Sequence, residues 1–264
     1  MKLALIGFGG IGQIVAEHLA RDAGLQFIAV AARPHQHAGV RTLLGQVACV
    51  TSPEALIAQA PDLVIECASH GAFRAYASPV LAAGIDLVAV SVGVLAEAAL
   101  RSEVFDTARR SGASLQIPAG AIGAIDAIAA ARFSGLKEVA YVTRKNAATW
   151  AGTPADTLID LSAVREPTLF FDDTAERAAL LFTEKANVTA TLALAGLGFE
   201  HTRVRFWVDP QATRSMHHIE ASGACGTLQL DMANTVASPT SKASLQTAMS
   251  IVQAVRNRTA TLRF

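Results

Sequence analysis

The sequence has no excess of charge of either sign: 22 Lys and Arg are matched by 22 Asp and Glu. A protein that holds nucleic acid on a basic face needs a Lys/Arg surplus, so that class is excluded. Cysteine is scarce. Cys49, Cys67 and Cys225 are odd in number and not closely spaced, the pattern of reduced thiols and not of a disulfide framework. Long apolar runs are missing as well. The longest uncharged stretch, Ser111 to Ile125, has 15 residues and contains Pro118 and Gly120. A membrane-spanning helix wants about 20 apolar residues. Met1-Lys2 before an apolar stretch imitates a secretory signal, but Gly7, Gly9, Gly10 and Gly12 interrupt it and no convincing cleavage site follows. A cytoplasmic protein with no membrane or nucleic-acid partner is expected.

Apolar side chains make up 52% of the chain and charged ones 17%, enough to bury a core and too few charges for disorder. The 53 alanines suit tightly packed helices. At roughly 100–200 residues per domain, 264 residues make one large or two modest domains.

The first half alternates short apolar runs with helical spacing. Leu3 to Ile6, Phe27 to Ala31, Leu63 to Ile65, Leu87 to Val90 and Leu115 to Ile117 read as strands buried on both faces. Helical segments lie near residues 11–21, 53–59, 73–83 and 96–110. That alternation calls for a parallel sheet with right-handed crossovers. The second half has longer strands at 136–145, 168–171, 202–208, 216–221 and 227–232, with helices at 173–182 and 187–195. Asp173 with Glu176 fits a capping box. The expected fold is α/β: a Rossmann-type dinucleotide-binding domain over 1–118 and an α+β catalytic domain over 119–240 with a mainly antiparallel sheet. A final helix within 241–264 is expected to return to the first domain.

Gly7-Phe8-Gly9-Gly10-Ile11-Gly12 is a G-x-G-x-x-G placed after a strand and at the start of a helix. Gly7 permits the tight turn, Gly9 lets backbone approach a pyrophosphate at the helix N-terminus, and Gly12 lets helix and strand pack closely. An acidic residue at the end of the second strand would bind the ribose of NAD. Here Ala31-Ala32-Arg33-Pro34 stands instead, and Arg33 suits a 2′-phosphate. NADP is therefore expected as cofactor, beside NAD.

His217-His218 lies on a strand, where neighbours point to opposite faces, so one of the two serves a given site. A neutral imidazole takes a proton at physiological pH. Arg144 and Lys145 likewise diverge. Lys145, with Lys242 and Ser244 at a helix start, is a candidate for binding carboxylate. Cys67 follows an apolar strand, which suits shaping the strand's end more than nucleophilic work. His35 and His37 sit with Pro34 and Gly39 in an expected loop, too few ligands for a metal, and no metal is expected.

Pro118 to Asp126 reads Pro-Ala-Gly-Ala-Ile-Gly-Ala-Ile-Asp, and here the chain resembles the L-aspartate dehydrogenase family. The likeness includes the glycine turn and Glu66-Cys67-Ala68-Ser69. It continues through Asn187-Val188-Thr189-Ala190-Thr191, Val208-Asp209-Pro210, His217 and Lys242-Ala243-Ser244. The resemblance implies oxidation of L-aspartate to iminoaspartate with NAD or NADP, followed by hydrolysis to oxaloacetate and ammonia. Iminoaspartate is also a feed for pyridine nucleotide biosynthesis. The resemblance implies cofactor contacts at Ala121 and Asn187 and an active-site histidine at His217. Ala68, at the end of its strand, is expected beside the cofactor, and a homodimer is expected by analogy with two-domain dehydrogenases. Ala119, Ser215, Asn146 and Ala243 depart from the residues common in that family. Other readings are an oxidoreductase for another small amino, imino or keto acid, and a non-catalytic NAD(P)-binding sensor.

Overall fold

The computed structural model describes residues 1–183, 186–238 and 241–264, without the side chains of 236–238 and 241–243. The chain divides into two compact units: Met1–Gly120 with Val236–Phe264, and Ala121–Thr235.

In the first unit, β1 (Lys2–Ile6), β2 (Gln26–Ala31), β3 (Ala48–Val50), β4 (Leu63–Glu66), β5 (Asp86–Ala89) and β6 (Leu115–Gln116) form one sheet in the order β3-β2-β1-β4-β5-β6. Every pairing in it is parallel. The connections carry α1 (Gly10–Leu19), α2 (His37–Leu44), α3 (Pro53–Ile57), α4 (His70–Ala82) and α5 (Ala98–Ser111). Leu3, Ala4, Leu5, Val64 and Ile65 are fully buried, as runs with no polar alternation require. The strand order reverses between β1 and β4, the switch point at whose strand carboxyl ends sheets of this kind take ligands. Around His35 and His37 the expected loop is replaced. Pro34–Gln36 form a 3-10 turn that leads into α2, because Pro34 presets the first φ of a helical turn and Val40 is buried in the core.

The second unit contains α6 (Ile125–Ala131), β7 (Leu136–Lys145), α7 (Ala147–Trp150), α8 (Ala155–Leu158), β8 (Thr168–Thr174), α9 (Ala175–Leu181), α10 (Ala186–Ala195), β9 (Thr202–Val208), β10 (Ser215–Gly223) and β11 (Gly226–Asn234). Its sheet runs β11-β10-β7-β9-β8. Three pairings are antiparallel, and β7 with β9 is parallel, so the sheet is mixed. Alternation sends Val139, Tyr141 and Thr143, with Val204, Phe206, His217 and Ile219, to the buried face. Trp150, Phe171, Phe182 and Phe206 pack there edge-to-face and tilted, the geometry that ring quadrupoles favour.

The capping box expected at Asp173 is not formed. β8 runs on to Thr174, because Asp172 pairs with Arg203 and Arg205 of β9. Thr174 is the N-cap instead, its hydroxyl accepting from the Arg177 N–H at 3.3 Å.

The chain then returns to the first unit through β12 (Val236–Ser238), β13 (Ser241–Ser244) and α11 (Leu245–Arg256). α11 buries Ala248, Ile251, Val252 and Val255 in the same core as Leu3, Val15 and Leu19. Arg256 pairs with Asp22 at 2.7 Å, and the Gly120 N–H donates to Ser250 at 3.1 Å. Among the described residues no helix is long and apolar enough to cross a membrane.

Candidate active site

The glycines after β1 are required for three different reasons. Gly7 has φ +95°, and a Cβ there would lie 2.6 Å from that of Ala68. Gly12 begins the buried side of α1, where a Cβ would lie 2.2 Å from the Gly7 carbonyl oxygen. Gly9 is the N-cap of α1 with φ −85°, open to any residue, and nothing stands within 4 Å of where its Cβ would be. Its lack of a side chain therefore serves neither backbone strain nor internal packing. It leaves an open cradle at a helix start whose first turn holds no acidic residue and whose N–H groups at Gly10 and Ile11 lie ahead of the first intrahelical bonds. That arrangement fits a dinucleotide pyrophosphate.

The turn is held by amides that sequence reasoning did not single out. Gln13 and Gln36 both donate to the Phe8 carbonyl, at 3.1 and 3.0 Å. Gln36 also accepts from the Arg33 N–H at 3.2 Å, so one side chain ties the glycine turn to the segment after β2. Arg33 is exposed there, and no carboxylate occupies the end of β2.

Glu66, at the end of β4, is buried. It accepts from the backbone N–H groups of Ala68 at 2.8 Å, Ser69 at 3.2 Å and Ser91 at 3.0 Å. Burial pushes its carboxyl upward against the pull of these donors. It thereby holds the loop that seats Ala68 against Gly7. Cys67 is buried beside Gly12, and burial raises its thiol well above the ordinary value, the reverse of an activated nucleophile.

In the second unit the strand faces separate the paired candidates. His217 points to the buried face and is 5% exposed. His218 points outward between Glu220 at 3.0 Å and Asp231 at 2.8 Å, and hydrogen bonding to Glu220, then to Asp231, raises its pKa. Arg144 lies over the Trp207 ring at 5.0 Å, whereas Lys145 lies over the Trp150 ring at 5.1 Å. Desolvation, then the Lys145 charge, lowers the pKa of His217 to about 4. The imidazole is therefore neutral at pH 7, with a cation near it. The Tyr141 hydroxyl meets His217 Nδ1 at 2.7 Å. Tyr141 is the partner that sequence reasoning missed. Only the register of β7 against β10, with His217 opposite Thr143, brings it within reach.

The remaining candidates are more scattered. The Ala121 carbonyl accepts from Asn234 at 2.6 Å, and Asn187 lies in the first turn of α10. Ser244 is the N-cap of α11 with its hydroxyl buried and unpartnered. The side chain of Lys242 lies outside the described residues. Among those described, no three His, Cys, Asp or Glu side chains gather as a metal set.

Comparison with known proteins places this geometry. The family described as aspartate dehydrogenase, C-terminal, matches residues 126–258. The homoserine dehydrogenase NAD-binding domain matches residues 7–118. The L-aspartate dehydrogenase of Ralstonia nicotianae is 44% identical over 98% of this chain and 97% of its own length. That of Cupriavidus necator is 42% identical with the same coverage. The crystal structure of aspartate dehydrogenase from Thermotoga maritima superposes with a TM-score of 0.76 at 25% identity, covering 100% of this chain and 99% of its own. With relatives this similar over nearly its whole length, the chain belongs to the L-aspartate dehydrogenase family.

Proposed function

We propose that the protein is an NAD(P)-dependent L-aspartate dehydrogenase, which oxidises L-aspartate to iminoaspartate that hydrolyses to oxaloacetate and ammonia. The observation that carries this reading is the buried, neutral His217 with Lys145 near it. When bound, the nicotinamide ring supplies a hydride acceptor. Gly7, Gly9, Gly10, Ile11 and Gly12 hold the pyrophosphate, with Ala68 beside them, and Arg33 meets the adenosine end. Lys145 holds a substrate carboxylate as a point charge. His217 takes a proton from the substrate ammonium, since the amine must be neutral for its lone pair to drive oxidation, and later assists water in attacking the imine. A substrate carboxylate held by Lys145 offsets that charge, so the part of the His217 pKa depression due to Lys145 is relieved once aspartate is in place. The cytoplasm is the proposed setting, supported by three cysteines that are all free. A homodimer belongs to the same proposal.

The test is the appearance of NADPH or NADH absorbance with a panel of small amino and hydroxy acids. Turnover of aspartate is the expected result. Turnover of another acid alone replaces the substrate, and cofactor binding without any turnover replaces the enzyme with a sensor.

Cofactor choice has its own expected outcome. A charge-assisted bond to a phosphate is worth about 1.5–3 kcal/mol, so Arg33→Asp should weaken NADP roughly tenfold or more. NAD affinity should change little. Equal affinities of wild type and variant for NADP would remove Arg33 from the site.

A further inference from the structure

A side-chain amide has one donating and one accepting end, and at Gln36 both are committed. Its Nε2 donates to the Phe8 carbonyl at 3.0 Å, and its Oε1 accepts from the Arg33 N–H at 3.2 Å. A carbonyl only accepts and a backbone N–H only donates, so a single orientation of the amide satisfies both. Each end holds a different part of the cofactor seat. The Phe8 carbonyl belongs to the peptide that leads into Gly9 and α1. That peptide is planar and trans, so fixing its carbonyl also fixes the direction of the Gly9 N–H on its far side. Gln13 of α1 donates to the same carbonyl at 3.1 Å. At the other end, Arg33 has φ −67° and ψ 150° ahead of Pro34, and its carbonyl accepts from the Gln36 N–H at 2.9 Å. Gln36 thus holds both backbone groups of Arg33, and with them the direction in which the exposed side chain leaves the chain.

We infer that Gln36 is a positioning residue for cofactor choice: it ties Arg33 to the glycine turn, so that the pyrophosphate and the 2′-phosphate of NADP are met at one fixed spacing. The inference rests on the reading of Arg33 at the 2′-phosphate, and not on which amino acid is oxidised. The two anionic groups of NADP are joined covalently through a ribose. Both are met at full strength only if the glycine turn and Arg33 keep their separation before the cofactor arrives, which is preorganisation. NAD lacks the 2′-phosphate and needs the glycine turn alone. Losing the Gln36 link therefore penalises NADP more than NAD. Gln13 holds the same carbonyl from within α1, so its loss bears on both cofactors alike.

The test is fluorescence titration of the full chain with NADP and with NAD, beside a melting curve for every variant. Gln36→Met keeps the length of the side chain and removes both bonds, and Gln36→Ala is read the same way should Met disturb the fold. Gln36→Met should weaken NADP roughly three- to tenfold, the range of ordinary hydrogen bonds. NAD should weaken by no more than about twofold, because Gln13 still holds the Phe8 carbonyl. Gln13→Met should weaken both cofactors by the same factor and leave their ratio unchanged. In an Arg33→Ala background, Gln36→Met should leave the ratio where Arg33→Ala alone puts it, since the guanidinium through which Gln36 acts is gone. Equal losses for the two cofactors in Gln36→Met overturn the inference and leave Arg33 in its role. So does a further fall of the ratio in the double variant. A ratio that Arg33→Ala itself does not move removes Arg33 from the site, and the inference with it.

Discussion

Replacing His217 by Ala should lower kcat by roughly 10²–10⁴, while His218→Ala should leave it within a few fold. The two residues are adjacent, so the contrast isolates strand face from sequence position. His217 is buried and neutral with Tyr141 on Nδ1, and His218 is a surface group between two carboxylates. Equal, small losses in steady-state turnover would remove the acid–base assignment. The same residue carries a pH signature in stability. Its folded pKa, about 4, lies below the ordinary 6.5. The unfolded chain therefore binds the proton first as pH falls, and the stability from burying a neutral ring is present above 6.5 and lost toward pH 4. The difference of about 2.5 in pKa corresponds to about 3 kcal/mol over that window. Urea titrations of wild type and His217→Gln at pH 7 and pH 4.5 should show the smaller loss in the variant.

The nucleotide unit was legible because its signals are local. Apolar runs such as Leu3 to Ile6 have no polar alternation, and the glycine turn stands directly after one, so a doubly wound sheet follows without knowledge of distant contacts. Its failures are also local. β3 is only Ala48–Val50, half-buried and too short to show a period, and α2 hides behind Pro34 and Gly39. The second unit resists for a different reason. Thr174 displaces Asp173 as a cap because Asp172 is drawn to arginines 31 and 33 residues away. The parallel pairing of β7 with β9 leaves no mark on either strand. Tyr141 is invisible as a partner because 76 residues separate it from His217, and only the ladder register unites them. The family resemblance selected His217 over His218, and the strand faces now supply a physical reason for the difference between the two.

The glycine turn gives the second large effect, and its value lies in comparing two substitutions that look alike. In Gly12→Ala the new methyl would sit 2.2 Å from the Gly7 carbonyl oxygen and 3.0 Å from its carbon. Neither is the end of a flexible side chain, so α1 must move away from β1. Overpacking of this kind costs about 1–3 kcal/mol, and cofactor affinity should fall at least about 10²-fold with the displaced turn. Gly9→Ala meets nothing within 4 Å and keeps an ordinary φ, so thermal unfolding should be unchanged to within about 0.5 kcal/mol. Its methyl would nevertheless fill the space in front of the first N–H groups of α1, where the pyrophosphate belongs. Gly9→Ala is therefore expected to fold as wild type and bind NADP at least tenfold more weakly, measured by fluorescence titration beside a melting curve. An unchanged affinity in that variant would mean that the cradle in front of α1 is not the cofactor's seat, even if Gly12→Ala behaves as expected. Only a bound ligand gives Gly9 a reason to be glycine.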